Sequence, residues 1–218
     1  MKIGIFGGTF NPVHYGHLRA AEEVREKLRL DKILFIPAKN PPLKTKDIAT
    51  AEHRYELLKL ALRGNRYFEL SDIEYRLKGK SYTAKTILEL QKIYPPSDFF
   101  FILGIDAFLD IPHWWNPEKL ITLTNFAVIS RPGFRFTDLK TSPYIKEQRR
   151  VLGKLDEEKA ELYEAKLPGK KKAVLLRITP MEIASTEIRR LLRQGKSIKY
   201  LLPPEVKSYI IFNKLYTH

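Results

Sequence analysis

Two histidines stand three apart in the run GGTFNPVHYGH: His14 and His17, with Gly16 between them. Imidazoles so spaced can pack or cap a helix, contribute to a metal site, or face a phosphate. No further ligand of suitable type lies close by, and HExxH is absent. The phosphate reading draws on Gly7 and Gly8, which permit a tight turn whose backbone N–H groups approach an anion closely. A second anion seat is offered by Ser185 and Thr186 with Arg189 following. Alone, that stretch also reads as an ordinary N-cap serine and a solvated arginine.

The elements around these residues define where they sit. Lys2–Phe6 reads as a buried strand, and Leu18, Ala21, Val24 and Leu28 recur at helical spacing, so the histidines occupy a strand-to-helix turn. Strands are expected at Lys32–Ile36, Phe68–Ile73, Phe99–Leu103, Phe126–Ser130 and Ala173–Ile178. Helices are expected at Ala51–Leu62 and Thr83–Ile93, within the charged stretch Pro143–Lys166, and from Ser185 and Pro204. Pro37, Pro41 and Pro42 force a loop between. Alternating strands and helices, several strands being continuously apolar, predict an α/β fold with a doubly wound parallel sheet. Such sheets bind ligands beyond the carboxyl ends of their strands, where the histidine turn lies. The whole chain, 1–218, is expected to be one domain, with a C-terminal helical segment over about 185–218.

The formal net charge of +14 points to a negatively charged substrate or partner. With no cysteine, disulfides, thiolate metal sites and a cysteine nucleophile are excluded. The apolar run before Gly7 is too short for a signal peptide, and Phe99–Ile105 is too short for a membrane span. These features predict a cytoplasmic protein with no membrane partner.

GGTFNPVHYGHL resembles the (H/T)xGH signature of the nucleotidyltransferase superfamily, and ASTEIRR at Ala184–Arg190 resembles its ISSTxxR signature. Ser81-Tyr82-Thr83, Leu103-Gly104-Ile105-Asp106, Trp114-Trp115, Arg131-Pro132-Gly133 and the C-terminal Leu202-Pro203 through Tyr216 follow in the order seen in bacterial nicotinate-nucleotide adenylyltransferases. The likeness spans essentially the whole chain and implies a Rossmann-like nucleotidyltransferase fold. It implies adenylyl transfer from ATP to nicotinic acid mononucleotide, giving deamido-NAD and pyrophosphate.

The resemblance also implies roles. His14 and His17 would be catalytic, contacting ATP phosphates with Gly8 and the Thr9 and Phe10 backbone. Ser185, Thr186 and Arg189 would hold the β,γ-phosphates, and Asp106, just past Gly104, the adenosine ribose. Thr83, Trp114 and Trp115 would recognise nicotinate, with Lys44 and Arg131 as further substrate contacts. Mg²⁺ would be held mainly by the ATP phosphates, with no protein cage. Neighbouring phosphates should favour charged imidazoles.

Three positions depart from the family pattern. Asn11 replaces a common aspartate, Leu43 replaces the histidine of a PPHK loop, and Lys85 replaces an acidic residue after SYT. Lys85 is given no catalytic role. Nicotinamide mononucleotide and pantetheine phosphate are the rival substrates. A basic nucleic-acid-binding module is the rival of a different class, but Lys and Arg are spread along the chain and no recognised binding motif appears. No nucleic-acid partner is therefore expected, and the oligomeric state is not legible.

Overall fold

The computed structural model describes residues 1–42 and 47–217. β1 (Lys2–Gly8) leads through the histidine turn into α1 (Tyr15–Leu28), and β2 (Lys32–Pro37) follows. Next come α2 (Ala51–Ala61), β3 (Phe68–Leu70), the short α3 (Ile73–Arg76), α4 (Thr83–Ile93) and β4 (Asp98–Gly104). The chain continues through α5 (Ile105–Asp110), α6 (Pro117–Leu123), β5 (Asn125–Ile129), α7 (Arg149–Asp156), β6 (Leu162–Lys166), β7 (Lys172–Leu176), α8 (Ser185–Arg193) and α9 (Pro204–Phe212).

The strands form one sheet in the order β3-β2-β1-β4-β5-β7-β6. All neighbours are parallel except β6, which runs antiparallel to β7. From β1 the chain winds outward through β2 and β3, then returns to place β4 on the other side of β1. The order therefore reverses between β1 and β4, which opens a crevice at their carboxyl ends.

Both faces of the sheet are covered, which explains the unbroken apolar runs. Ile3, Ile5, Leu34, Ile36, Phe99, Phe101, Phe126 and Val128 pack on one face with Ala84, Ile87, Phe108 and Leu120. Alternate strand residues Ile33, Phe35, Phe100, Ile102 and Ala127 pack on the other with Ala21, Val24, Leu57 and Leu58. Ile188, Val206 and Ile210 belong to this second core, so α8 and α9 are packed into it.

The structure departs from expectation at two places. Phe68–Ile73 is not one strand: β3 stops at Leu70, and Asp72 sits at the N-cap of α3, as a turn-forming polar pair should dictate. The helix expected within Pro143–Lys166 is present at Arg149–Asp156, while Leu162–Lys166, for which no strand was expected, is an edge strand. That strand buries Ala165 alone, and it is held to β7 by its ladder and by Glu164–Lys172 at 2.7 Å. Its antiparallel course is an exception at the edge of the expected parallel sheet.

Candidate active site

The two signature segments, far apart in sequence, meet in space. Ser185 Oγ donates to the Pro12 carbonyl at 2.8 Å, and Arg189 Nη1 donates to the Asn11 carbonyl at 2.8 Å. Ala184, not Ser185, occupies the N-cap of α8. Ser185 is thus the first helical residue, and its hydroxyl locks α8 onto the histidine turn; Thr186 follows it, exposed. The solvated-arginine reading fails as well, because Arg189 Nε is buried and has no partner.

In the histidine turn, His14 is the N-cap of α1, and its N–H donates to His17 Nδ1 at 3.3 Å. An accepting Nδ1 carries no proton, so this bond selects the His17 tautomer with N–H at Nε2. The rings lie one over the other, with centroids 3.7 Å apart. Gly16 is needed beside them: a Cβ there would stand 3.0 Å from His14 Nδ1. Phe10 adopts φ 47°, an uncommon conformation for a bulky residue. Its buried ring packs edge-on to Phe6 and His17, which bends the Thr9–Phe10 backbone around the turn, and Gly8 lies directly beneath that ring.

His14 is 6% exposed, and its pKa is lowered to about 4, chiefly by burial and then by the Arg131 charge. A phosphate bound beside the ring would act in the opposite direction, favouring its charged form. Arg131 also pairs with Asp106, Nε to Oδ2 at 3.1 Å. Asp106 falls in the first turn of α5 rather than at its N-cap, which is Gly104. A side chain at Gly104 would collide with Asp106 Oδ1 and Arg131 Cδ. His14, Arg131, Gly104 and Asp106 therefore face one another across the β1/β4 crevice.

Among the described residues, five buried side-chain polar atoms lack a partner, and three belong to predicted site residues: His14 Nδ1, Asp106 Oδ1 and Arg189 Nε. Such atoms are costly unless a ligand or water completes them.

The two tryptophans divide. Trp114 packs edge-on to Phe101 and donates from Nε1 to Asp110 at 3.0 Å, so it is largely a core residue. Trp115 is 43% exposed and stacks on Tyr82, centroids 5.1 Å apart and planes at 20°. Thr83 opens α4 next to this pair. Lys44 and Leu43 lie outside the described residues.

Sequence reasoning missed Arg54. It is 1% exposed, and its guanidinium donates to the carbonyls of Thr9, Ala38, Lys39 and Ala49. It ties the loops after β1 and β2 to the start of α2, behind the Thr9 cradle. A signal was available: Arg54 falls on the same helical face as buried Leu57 and Leu58, where an apolar residue belongs.

No group of three or more metal-binding side chains occurs among the described residues, and no helix there is long and apolar enough to cross a membrane.

Residues 5–191 match the cytidylyltransferase-like family model. Proteins named "Probable nicotinate-nucleotide adenylyltransferase" from Geotalea daltonii and Desulfitobacterium hafniense are 42% and 39% identical to this chain, each over 99% of it and over 98% and 95% of their own lengths. A Plasmodium falciparum nicotinic acid mononucleotide adenylyltransferase complexed with NaAD superposes with TM-score 0.74 at 23% identity, covering 99% of this chain and 97% of its own. The same protein complexed with APC gives TM-score 0.71 at 22% identity, over 99% and 96%. The fold and its site thus define a nucleotidyltransferase with a Rossmann-like sheet. Within that class the chain belongs to the nicotinate-nucleotide adenylyltransferases.

Proposed function

We propose that this chain transfers the adenylyl group of ATP to nicotinic acid mononucleotide, releasing pyrophosphate and forming deamido-NAD. The observation that carries the reading at the site is the meeting of the histidine turn with α8 through Ser185 and Arg189, beside buried polar atoms that lack partners.

A mononucleotide phosphate has its second pKa near 6, so at neutral pH it is largely dianionic and needs no general base. Its oxygen forms a bond to the α-phosphorus as the bond from that phosphorus to the bridging oxygen breaks, and pyrophosphate carries away the electron pair. The protein's task is to align the two phosphates and to stabilise charge on the departing oxygens. His17, with N–H at Nε2, is placed to donate there, and His14 beside it. Gly8 and the Thr9 and Phe10 backbone form the cradle, while Ser185, Thr186 and Arg189 take the phosphates that leave. Asp106 accepts from the adenosine ribose, with Gly104 clearing its approach. Trp115 stacks on the nicotinate ring, with the N–H groups near Thr83 beside its carboxylate. Arg131 serves the mononucleotide phosphate, Lys44 is a further substrate contact, and Trp114 supports Trp115 from the core.

Enzymes of this kind use a divalent metal with ATP; here Mg²⁺ would neutralise phosphate charge. The donor set of imidazole, guanidinium and hydroxyl groups fits a cation held by the phosphates themselves rather than by protein ligands. ATP and the mononucleotide, with neither nucleic acid nor membrane, complete the proposed partners, in the cytoplasm.

A pyrophosphate-release assay with ATP and nicotinic acid mononucleotide, its amide, or phosphopantetheine tests the reading. The acid should be used best. Dominant turnover with phosphopantetheine, or none with any of the three, would reject it.

A further inference from the structure

Lys85 stands exposed in the first turn of α4, beside Tyr82 and Trp115. Its ammonium lies 5.1 Å from the Trp115 ring centroid and 5.3 Å from that of Tyr82, over the stacked pair. Among the described residues no carboxylate pairs with it within 4.0 Å. It also sits third in α4, in the first turn, where helices favour a carboxylate and where the positive end of the helix disfavours a lysine. The first turn of α4 holds no acidic residue at all. A cation thus stands at a helix position that disfavours it, against the aromatic surface that the proposed reading assigns to the pyridine ring.

We propose that Lys85 is a specificity-determining residue that favours a pyridinium carrying a carboxylate over one carrying an uncharged amide. This deepens the functional reading above and rests on it. The amide ring bears a bare positive charge, so it competes with the ammonium for the electron-rich indole face and is repelled by it. The acid ring bears the same charge plus a carboxylate. That carboxylate attracts the ammonium and offsets the repulsion, while the N–H groups opening α4 act in the same direction. The indole supplies the platform for both rings, and Lys85 adds to the difference that the N–H groups make between them.

The test measures kcat/KM for both mononucleotides in the wild type, Lys85→Met, Lys85→Glu and Trp115→Ala. Lys85 is exposed, so its variants should fold. Lys85→Met should reduce the acid-to-amide preference about 3- to 10-fold, as one partly screened charge at this range allows. Lys85→Glu should reduce it further, and 0.5 M salt should shrink the difference between wild type and variants. An unchanged ratio in an active enzyme would overturn the proposal. So would an equal gain on both substrates, which would mean that Lys85 merely covers the ring face. If Trp115→Ala leaves both substrates unaffected, the ring platform itself is wrong, and the proposal falls with it.

Discussion

His17 and His14 share a turn but not an environment. His17 lies half-buried with its Nδ1 engaged by the His14 N–H, whereas His14 is buried and held neutral. Replacing His17 with Ala should lower kcat on the order of 10²-fold, with smaller changes in KM, as expected for losing one donor to the developing charge. Steady-state kinetics decide this, and unchanged turnover would remove His17 from the mechanism. His14 carries a stability consequence. Its folded pKa, about 4, lies below the ordinary 6.5, so the unfolded chain binds the proton more readily. Stability from this group is therefore complete above pH 6.5 and declines as pH falls toward 4, by roughly 3 kcal/mol at most. His14→Asn should flatten the loss of Tm between those pH values, measured by thermal melts of variant and wild type in parallel. Equal slopes would contradict the assigned burial effect.

At the scale of elements, the site depends on loops held by charges that lie behind it. Arg54→Met would strand up to four carbonyls across three segments, so a loss of roughly 3–5 kcal/mol is expected. For a chain this long that lowers Tm by about 10 °C, and a raised KM for ATP should accompany it as the Thr9 cradle loosens. A melt unchanged within a degree or two would refute that assignment. The long, fully buried elements were legible from the sequence. Apolar runs such as Phe99–Leu103 announce a strand covered on both faces, and the regular spacing of Ala21 and Val24 announces α1. The edge strand Leu162–Lys166 was not legible, because one buried alanine in five residues leaves no alternation to read. Within the site, motif spacing marked both signature segments, which the structure brings into contact. It could not show that Trp114 turns inward to Phe101 while Trp115 stays open, since identical neighbours differ there only by direction.

At the scale of the whole molecule, the reversal of strand order between β1 and β4 brings the segments together. β1 ends at the histidine turn and β4 at Gly104, so the crevice gathers His14, Arg131 and Asp106, and α8 closes over the turn through Asn11 and Pro12. A net charge of +14 makes the surroundings receptive to polyanions, but it is this convergence that would give a triphosphate a defined seat under the proposed function. The sheet's parallel core could be inferred from composition and pattern, whereas contact between residues more than 170 positions apart could be expected only from two motifs read together. A crystal structure of the chain with a non-hydrolysable ATP analogue is the most direct test. The account predicts the triphosphate between His14 and His17 on one side and Ser185, Thr186 and Arg189 on the other. A triphosphate bound away from either segment would contradict it.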